Sequence, residues 1–98
     1  MKIIERLSEM IDEEIADAHK YAVCAAEQKD LDPELSRTFL MLANEEMNHS
    51  NMLHTQVVRI IKKYREENGE PPADMMAIYN YLHKRSVEKA AAVKAMLV

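Results

Sequence analysis

The chain has 98 residues and a formal net charge of -4, which limits it to one domain and excludes a doubly wound sheet or a barrel with its loops. Glycine occurs once, proline three times and tryptophan never, while hydrophobic residues make up 48% of the chain, so turn-forming residues are too scarce for an all-β protein. A few long helices are therefore expected, and thin helices in so short a chain bury too little surface to be stable without further copies.

Two long helices joined by a tight turn are predicted for the first two thirds of the chain. Helix 1 is expected over about residues 3–29, because nothing there breaks a helix and apolar or small residues recur at helical spacing. Asp32 suits an N-cap and Pro33 a first helical position, so helix 2 is expected over about residues 33–67. Gly69 follows as a residue that can end it in a left-handed conformation.

A third helix is predicted over about residues 72–97. It follows the stiff Pro71-Pro72 connector, its apolar stripe is weaker than the other two, and no capping signal closes it before Val98. The sequence therefore predicts an all-α fold in a single domain over residues 1–98, with a long antiparallel hairpin and a C-terminal third helix.

Polar residues interrupt the apolar seams that an alternating four-and-three repeat predicts for the hairpin. In helix 1 the seam is Ile4, Leu7, Ile11, Glu14, Ala18, Tyr21 and Ala25. In helix 2 it is Leu35, Phe39, Leu42, Glu46, His49, Leu53, Gln56 and Ile60. A carboxylate in an apolar seam costs several kcal/mol unless it is paired or binds a cation.

The register of the hairpin places these polar residues at one height. In an antiparallel hairpin that turns near residues 30–32, residues at the same level have numbers that sum to roughly 60 to 64. Glu14 meets this condition with both Glu46 and His49, and the last two lie three residues apart, about one helical turn. All three side chains are therefore predicted to converge on one cation.

The motif pair in these helices resembles that of the ferritin-like superfamily. Glu14 is followed seven residues later by Tyr21, and residues 45–49 read Glu-Glu-Met-Asn-His. Members of the superfamily carry Glu-x6-Tyr in one helix and Glu-Glu-x-x-His in the next, and the resemblance covers roughly residues 3–65. No paired cysteines provide a rubredoxin-like module, which weakens a full rubrerythrin-type assignment.

The resemblance implies a di-iron protein that oxidises Fe(II) with oxygen or peroxide. A complete site in this superfamily draws on four helices, and this chain holds half of the ligands. Two copies related by a two-fold axis would complete a four-helix bundle with four carboxylates and two imidazoles, as in the small encapsulated ferritins. The implied iron ligands are Glu14, Glu46 and His49, with Tyr21 as a catalytic-site partner that orients a ligand carboxylate.

Other interpretations of the same residues remain open. The three polar residues can form a buried network that sets helix register without metal, and Tyr21 can be an ordinary packing residue. Manganese shares these ligand types, so a di-manganese or peroxide-removing enzyme is an alternative. A metal-free helical homo-oligomer that acts as an assembly or interaction module is the alternative from a different class.

The remaining composition bears on partners and location. The single cysteine, Cys24, suits a reducing cytoplasm, and no apolar run approaches the roughly 20 residues that span a bilayer. The basic residues of the second half lie beside acids without interleaved aromatics, so no nucleic-acid partner is expected. An encapsulating shell is compatible with the resemblance, although the chain shows no apolar targeting peptide.

Overall fold

The computed structural model describes residues 1–97 and contains three helices, α1 (Lys2–Gln28), α2 (Pro33–Asn68) and α3 (Ala73–Met96). Helices α1 and α2 form an antiparallel hairpin, and α3 runs beside α1 in the same direction. No strand occurs within residues 1–97, so the predicted all-α class is confirmed. The observed helix ends differ from the predicted ones by no more than one residue.

The hairpin turn is fixed by side chains at the start of α2. Asp32 is the N-cap, and its Oδ1 accepts a hydrogen bond from the backbone N–H of Leu35 at 3.1 Å. Pro33 occupies the first turn, where its missing N–H costs nothing. One turn later the buried Ser36 hydroxyl donates to the Ala25 carbonyl at 2.7 Å, which ties α2 to α1 and sets the register of the hairpin.

The predicted core positions of α2 are wrong by one residue. Its buried residues each follow a residue of the predicted seam. A step of one residue turns the helix by 100°. Small residues explain the rotation, because they recur at seven-residue spacing and let the two helices approach closely. The buried residues of α2 are Ser36, Ala43, Met47, Ser50, Val57 and Ile61, and those of α1 are Ile4, Ile11, Ile15, Ala18, Ala22 and Ala25.

The predicted seam of α1 is buried at Ile4, Ile11, Ala18 and Ala25. Its other members, with most of the predicted seam of α2, form a half-buried side of the hairpin, which we call the open face. It contains Leu7, Glu14 and Tyr21 of α1 with Phe39, Leu42, Glu46, His49, Leu53 and Ile60 of α2, most of them partly exposed. Helix α3 lies on the other side of α1, because Ser86 donates to Asp12 Oδ1 at 2.9 Å. Asp12 and Glu14 are two residues apart, which places their side chains about 200° apart around the helix. The open face is therefore the side of the hairpin that α3 leaves uncovered.

Helix α3 is joined to the hairpin by a short connector and a narrow contact. Gly69 ends α2 with a φ of 79°, a left-handed conformation that only glycine adopts without strain. Within α3, Val93 is the one residue of the helix that is fully buried, among the residues that the structure describes. Helix α3 therefore covers one side of the hairpin without wrapping around it.

The three helices form a rod with an unusually large surface. Its principal extents are 55 × 19 × 18 Å, and its radius of gyration is 16.2 Å, against about 12.6 Å for a compact chain of this length. The accessible surface is 6765 Å², about 1,000 Å² more than the roughly 5,700 Å² of a compact monomer of this mass. The shape agrees with the expectation that so short a helical chain buries little of its own surface.

Candidate metal centre

Three potential metal ligands meet at mid-height on the open face. Glu14 lies in the middle of α1, and Glu46 and His49 lie one turn apart on α2. His49 Nδ1 is 3.4 Å from Glu14 Oε2 and 3.8 Å from Glu46 Oε2. One donor atom from each residue lies within 4.8 Å of the other two. The structure thus brings together the three residues that the register of the hairpin placed at one height.

One carboxylate oxygen in this cluster lacks a partner. Glu14 Oε2 is shielded from solvent and accepts no hydrogen bond from any residue in the range 1–97. The nearest donor, His49 Nδ1, approaches it without hydrogen-bond geometry. A buried oxygen without a donor costs free energy, and a bound cation would remove that cost.

The two carboxyl groups disturb each other electrostatically. The pKa of Glu46 is raised above its ordinary value, chiefly because the Glu14 carboxyl lies within hydrogen-bonding reach, and then because Glu46 is partly buried. The charges of Glu14 and Asp17 act in the same direction, while a charged His49 opposes them. Without a cation, the cluster therefore holds more negative charge than its own groups neutralise.

The distances suit a shared ion. Two ligand atoms that are each about 2.1 Å from a first-row metal lie at most about 4.2 Å apart, and the distances from His49 Nδ1 to Glu14 and Glu46 fall inside this limit. The side chains remain 50%, 27% and 20% exposed for His49, Glu14 and Glu46. An ion could therefore reach the three side chains from the open face.

Comparison with known proteins gives no relative: no family model, no curated protein and no solved structure matches the chain.

Tyr21 lies seven residues after Glu14 on α1, which is about two helical turns or roughly 10 Å along the helix. Its ring stacks on Phe39 of α2, with centroids 6.2 Å apart and planes inclined by 25°. Among residues 1–97 its hydroxyl makes no hydrogen bond to Glu14 or Glu46. The stacked pair therefore lies farther along the open face than the three ligands, and a role of Tyr21 in orienting a ligand carboxylate stays a prediction.

The acidic neighbours of the cluster point outwards. Glu13, Asp17 and Glu45 are exposed, as expected for residues that flank the seam. Their negative charge surrounds the entrance of the candidate centre and favours the approach of cations over anions.

No helix within the described part of the chain is long and apolar enough to span a bilayer.

Sequence reasoning missed a second group of titratable residues, on the side of the hairpin that carries α3. His54 and His83 lie outside the predicted seams, yet both are half-buried and their rings stack on each other. His54 sits seven residues after the buried Met47, on the inward line of α2 that the predicted seam misplaced by one residue. A seam placed one residue further along α2 would have predicted that His54 is partly buried.

Proposed function

We propose that the chain binds a divalent metal ion through Glu14, Glu46 and His49. The observation that carries this proposal is the unpartnered, buried Glu14 Oε2, which lies 3.4 Å from His49 Nδ1 in a cluster with a second carboxyl. A polar network that only sets helix register would give each buried polar atom a hydrogen-bond partner. In this cluster Glu14 Oε2 has no donor, and the pKa of Glu46 is raised.

We further propose that two chains pack through their open faces and complete a dinuclear site. The open face combines partly exposed apolar residues with a half-set of ligands. The excess surface of about 1,000 Å² is close to the roughly 800 Å² that one subunit contributes to a standard interface. Two-fold symmetry would bring four carboxylates and two imidazoles together, which is the ligand set of ferritin-like di-iron proteins.

Oxidation of Fe(II) is the chemistry that suits this ligand set best. Carboxylate and imidazole ligands bind Fe(II) and also accommodate the higher charge of Fe(III). With hydrogen peroxide as oxidant, two Fe(II) each lose one electron, and one peroxide takes up two electrons and two protons to form two waters. With oxygen, the same two electrons and two protons yield hydrogen peroxide. Manganese is the alternative metal, because it shares these ligands.

The residues of the chain have separate tasks in this scheme. Glu14 and Glu46 supply negative charge that a cation neutralises, and His49 supplies a neutral nitrogen ligand. Phe39 and Tyr21 form a stacked aromatic pair farther along the same face. Mineral storage would need a larger ring or an enclosing shell, because a rod of 55 × 19 × 18 Å encloses no storage cavity.

An anaerobic Fe(II) titration followed by admission of air tests the proposal. We expect one Fe(II) per chain, a ferric absorbance after oxidation, and a dimer by light scattering. Loss of an outer-shell partner alone costs roughly 10–100-fold in metal affinity, so Glu46→Ala should weaken binding at least that much. Glu45→Ala is the matched control, because the neighbouring Glu45 is exposed and lies outside the cluster.

Two results would redirect the proposal. Equal iron uptake and oxidation by the native protein and Glu46→Ala would place any metal site elsewhere. A dimer that forms and melts identically with and without metal would favour the metal-free interaction module, for which the exposed Leu35, Met41 and Met52 provide apolar surface.

A further inference from the structure

Three aromatic rings stack in a row where α3 meets the hairpin. His54 of α2 lies against His83 of α3, with ring centroids 4.8 Å apart and planes inclined by 17°. Tyr79, one turn earlier in α3, also stacks on His83, with ring centroids 5.8 Å apart and planes inclined by 18°. The His54–His83 pair is thus a direct side-chain contact between α2 and α3.

The stack lies at one end of a cavity between the helices. The cavity has a volume of about 240 Å³, and Ile11 and Ile15 of α1 form part of its apolar lining. Ser86 of α3, which donates to Asp12, also lines it. Helix α3 packs along α1, with Val93 in the core, and the His54–His83 pair adds a contact to α2 beside this cavity.

The charged groups around the stack come from α1 and α3. From α1, Asp12 is engaged by the Ser86 hydroxyl, which lies three residues beyond His83. From α3, Lys94 lines the same cavity and is itself cationic. Glu5 and Asp74 line the neighbouring cavity beyond Tyr79. On α2 the residues that share the cavity with His54 are the uncharged Ser50 and Asn51.

Parallel rings also argue against a metal bridge between these two histidines. The nitrogen lone pairs of an imidazole lie in the plane of its ring, so two nearly parallel rings direct them side by side, whereas a shared metal requires them to converge. What the arrangement does provide is sensitivity to charge, because two imidazolium rings at this distance repel each other in partly buried surroundings.

We propose that the stacked pair His54–His83 is a pH-sensitive latch that holds α3 on the hairpin at neutral pH and releases it on acidification. The neutral rings stack, while a first proton must enter a half-buried site and a second must enter beside the first. In agreement with this geometry, the pKa of His54 is lowered, first by burial and then by His83. Release of α3 would open the α2–α3 cavity without involving the ligands on the open face.

Hydrogen–deuterium exchange with a chelator present tests the latch. Protection factors for α3, corrected for the intrinsic pH dependence of exchange, are compared at pH 7.5 and 5.5 with those of α1 and α2. A single proton changes the opening equilibrium by at most about tenfold per pH unit, so we expect α3 protection to fall several-fold at pH 5.5, with little change in the middle of α1. Full-length chain is used throughout.

Two ring-retaining variants, one charged variant and one control make the test specific. His54→Phe and His83→Phe each keep a flat ring at one position but leave a single imidazole that can accept a proton, so the loss of α3 protection between pH 7.5 and 5.5 should be smaller in each variant than in the native protein. His83→Lys places a permanent charge in the stack and should reproduce the low-pH behaviour at pH 7.5. His19→Gln changes an exposed histidine of α1 and should behave as the native protein.

The variants also protect the test against trivial failure. If one phenylalanine variant loses its helical circular dichroism at pH 7.5, the other still reports. Equal α3 protection at both pH values in the native protein overturns the latch. So does an acid-induced loss that persists unchanged in a folded phenylalanine variant, because the responsible proton would then bind elsewhere.

Discussion

Replacement of Glu46 by glutamine should stabilise the metal-free protein while it destroys the proposed centre. Glu14 and Glu46 lie within 4.8 Å of each other, and two like charges at that distance repel by about 3.5 kcal/mol at an effective dielectric of 20 and about 0.9 kcal/mol in bulk water. Because both side chains reach solvent on the open face, we expect a gain of about 1–2 kcal/mol. The new amide can also donate a hydrogen bond to Glu14 Oε2, which now lacks one.

The sign of the pH dependence follows from the raised pKa of Glu46. Its ionised form is disfavoured in the folded state, so the native protein loses stability as pH rises through the folded-state pKa of Glu46. The gain from Glu46→Gln should therefore be present above that pKa and should vanish below the unfolded-state value of 4.5.

Thermal unfolding with a chelator, at fixed protein concentration, measures this gain. One kcal/mol shifts Tm by about 4–8 °C in a domain of this size. Glu45→Gln removes a charge from the adjacent, exposed position and should change stability by less than about 0.5 kcal/mol. If Glu46→Gln is no more stable than the native protein at pH 7, the two carboxyl groups do not oppose each other and the electrostatic reasoning about this cluster fails.

Three further predictions address binding, packing and ionisation. Metal added at about 100 times its dissociation constant should raise the free energy of unfolding by about 2.7 kcal/mol, and His49→Ala should lose most of that gain in anaerobic thermal scans. Ala43→Leu should cost about 1–3 kcal/mol or more by urea denaturation, because Ala43 is fully buried between α1 and α2, whereas Asn44→Leu at the neighbouring exposed position should be nearly neutral. Burial raises the pKa of Tyr79 above its ordinary value of 10.0, so the native protein should lose stability as pH rises above that value. Tyr79→Phe should flatten that loss, and a titration by ultraviolet absorbance should show one tyrosine fewer ionising late.

The helices could be predicted because their ends carry strong local signals. Asp32 and Pro33 start α2 and Gly69 ends it, whatever the rest of the chain does. The height at which Glu14 meets Glu46 follows from the length of the turn alone, so it was also accessible from sequence.

The rotation of α2 was not accessible in the same way. A count of apolar residues favours large side chains as core, yet the hairpin packs through small ones at Ser36, Ala43 and Ser50. Close approach of two helices depends on what faces them across the contact, and a single-helix pattern does not contain that information. The position of α3 could not be predicted for a related reason. Its apolar stripe is weak, and its contacts with the hairpin include the polar residues Ser86 and His83.

Because α3 lies opposite the open face, the molecule has two separate surfaces through which further copies could bind. A dimer joined through the open faces would place both copies of α3 on its outside, with the exposed Ile78, Tyr81 and Val87 turned to the surroundings. Contacts made there could build larger rings or layers without displacing any metal ligand. Inner surfaces would thus determine the chemistry, and outer helices would determine how many catalytic units are collected in one place.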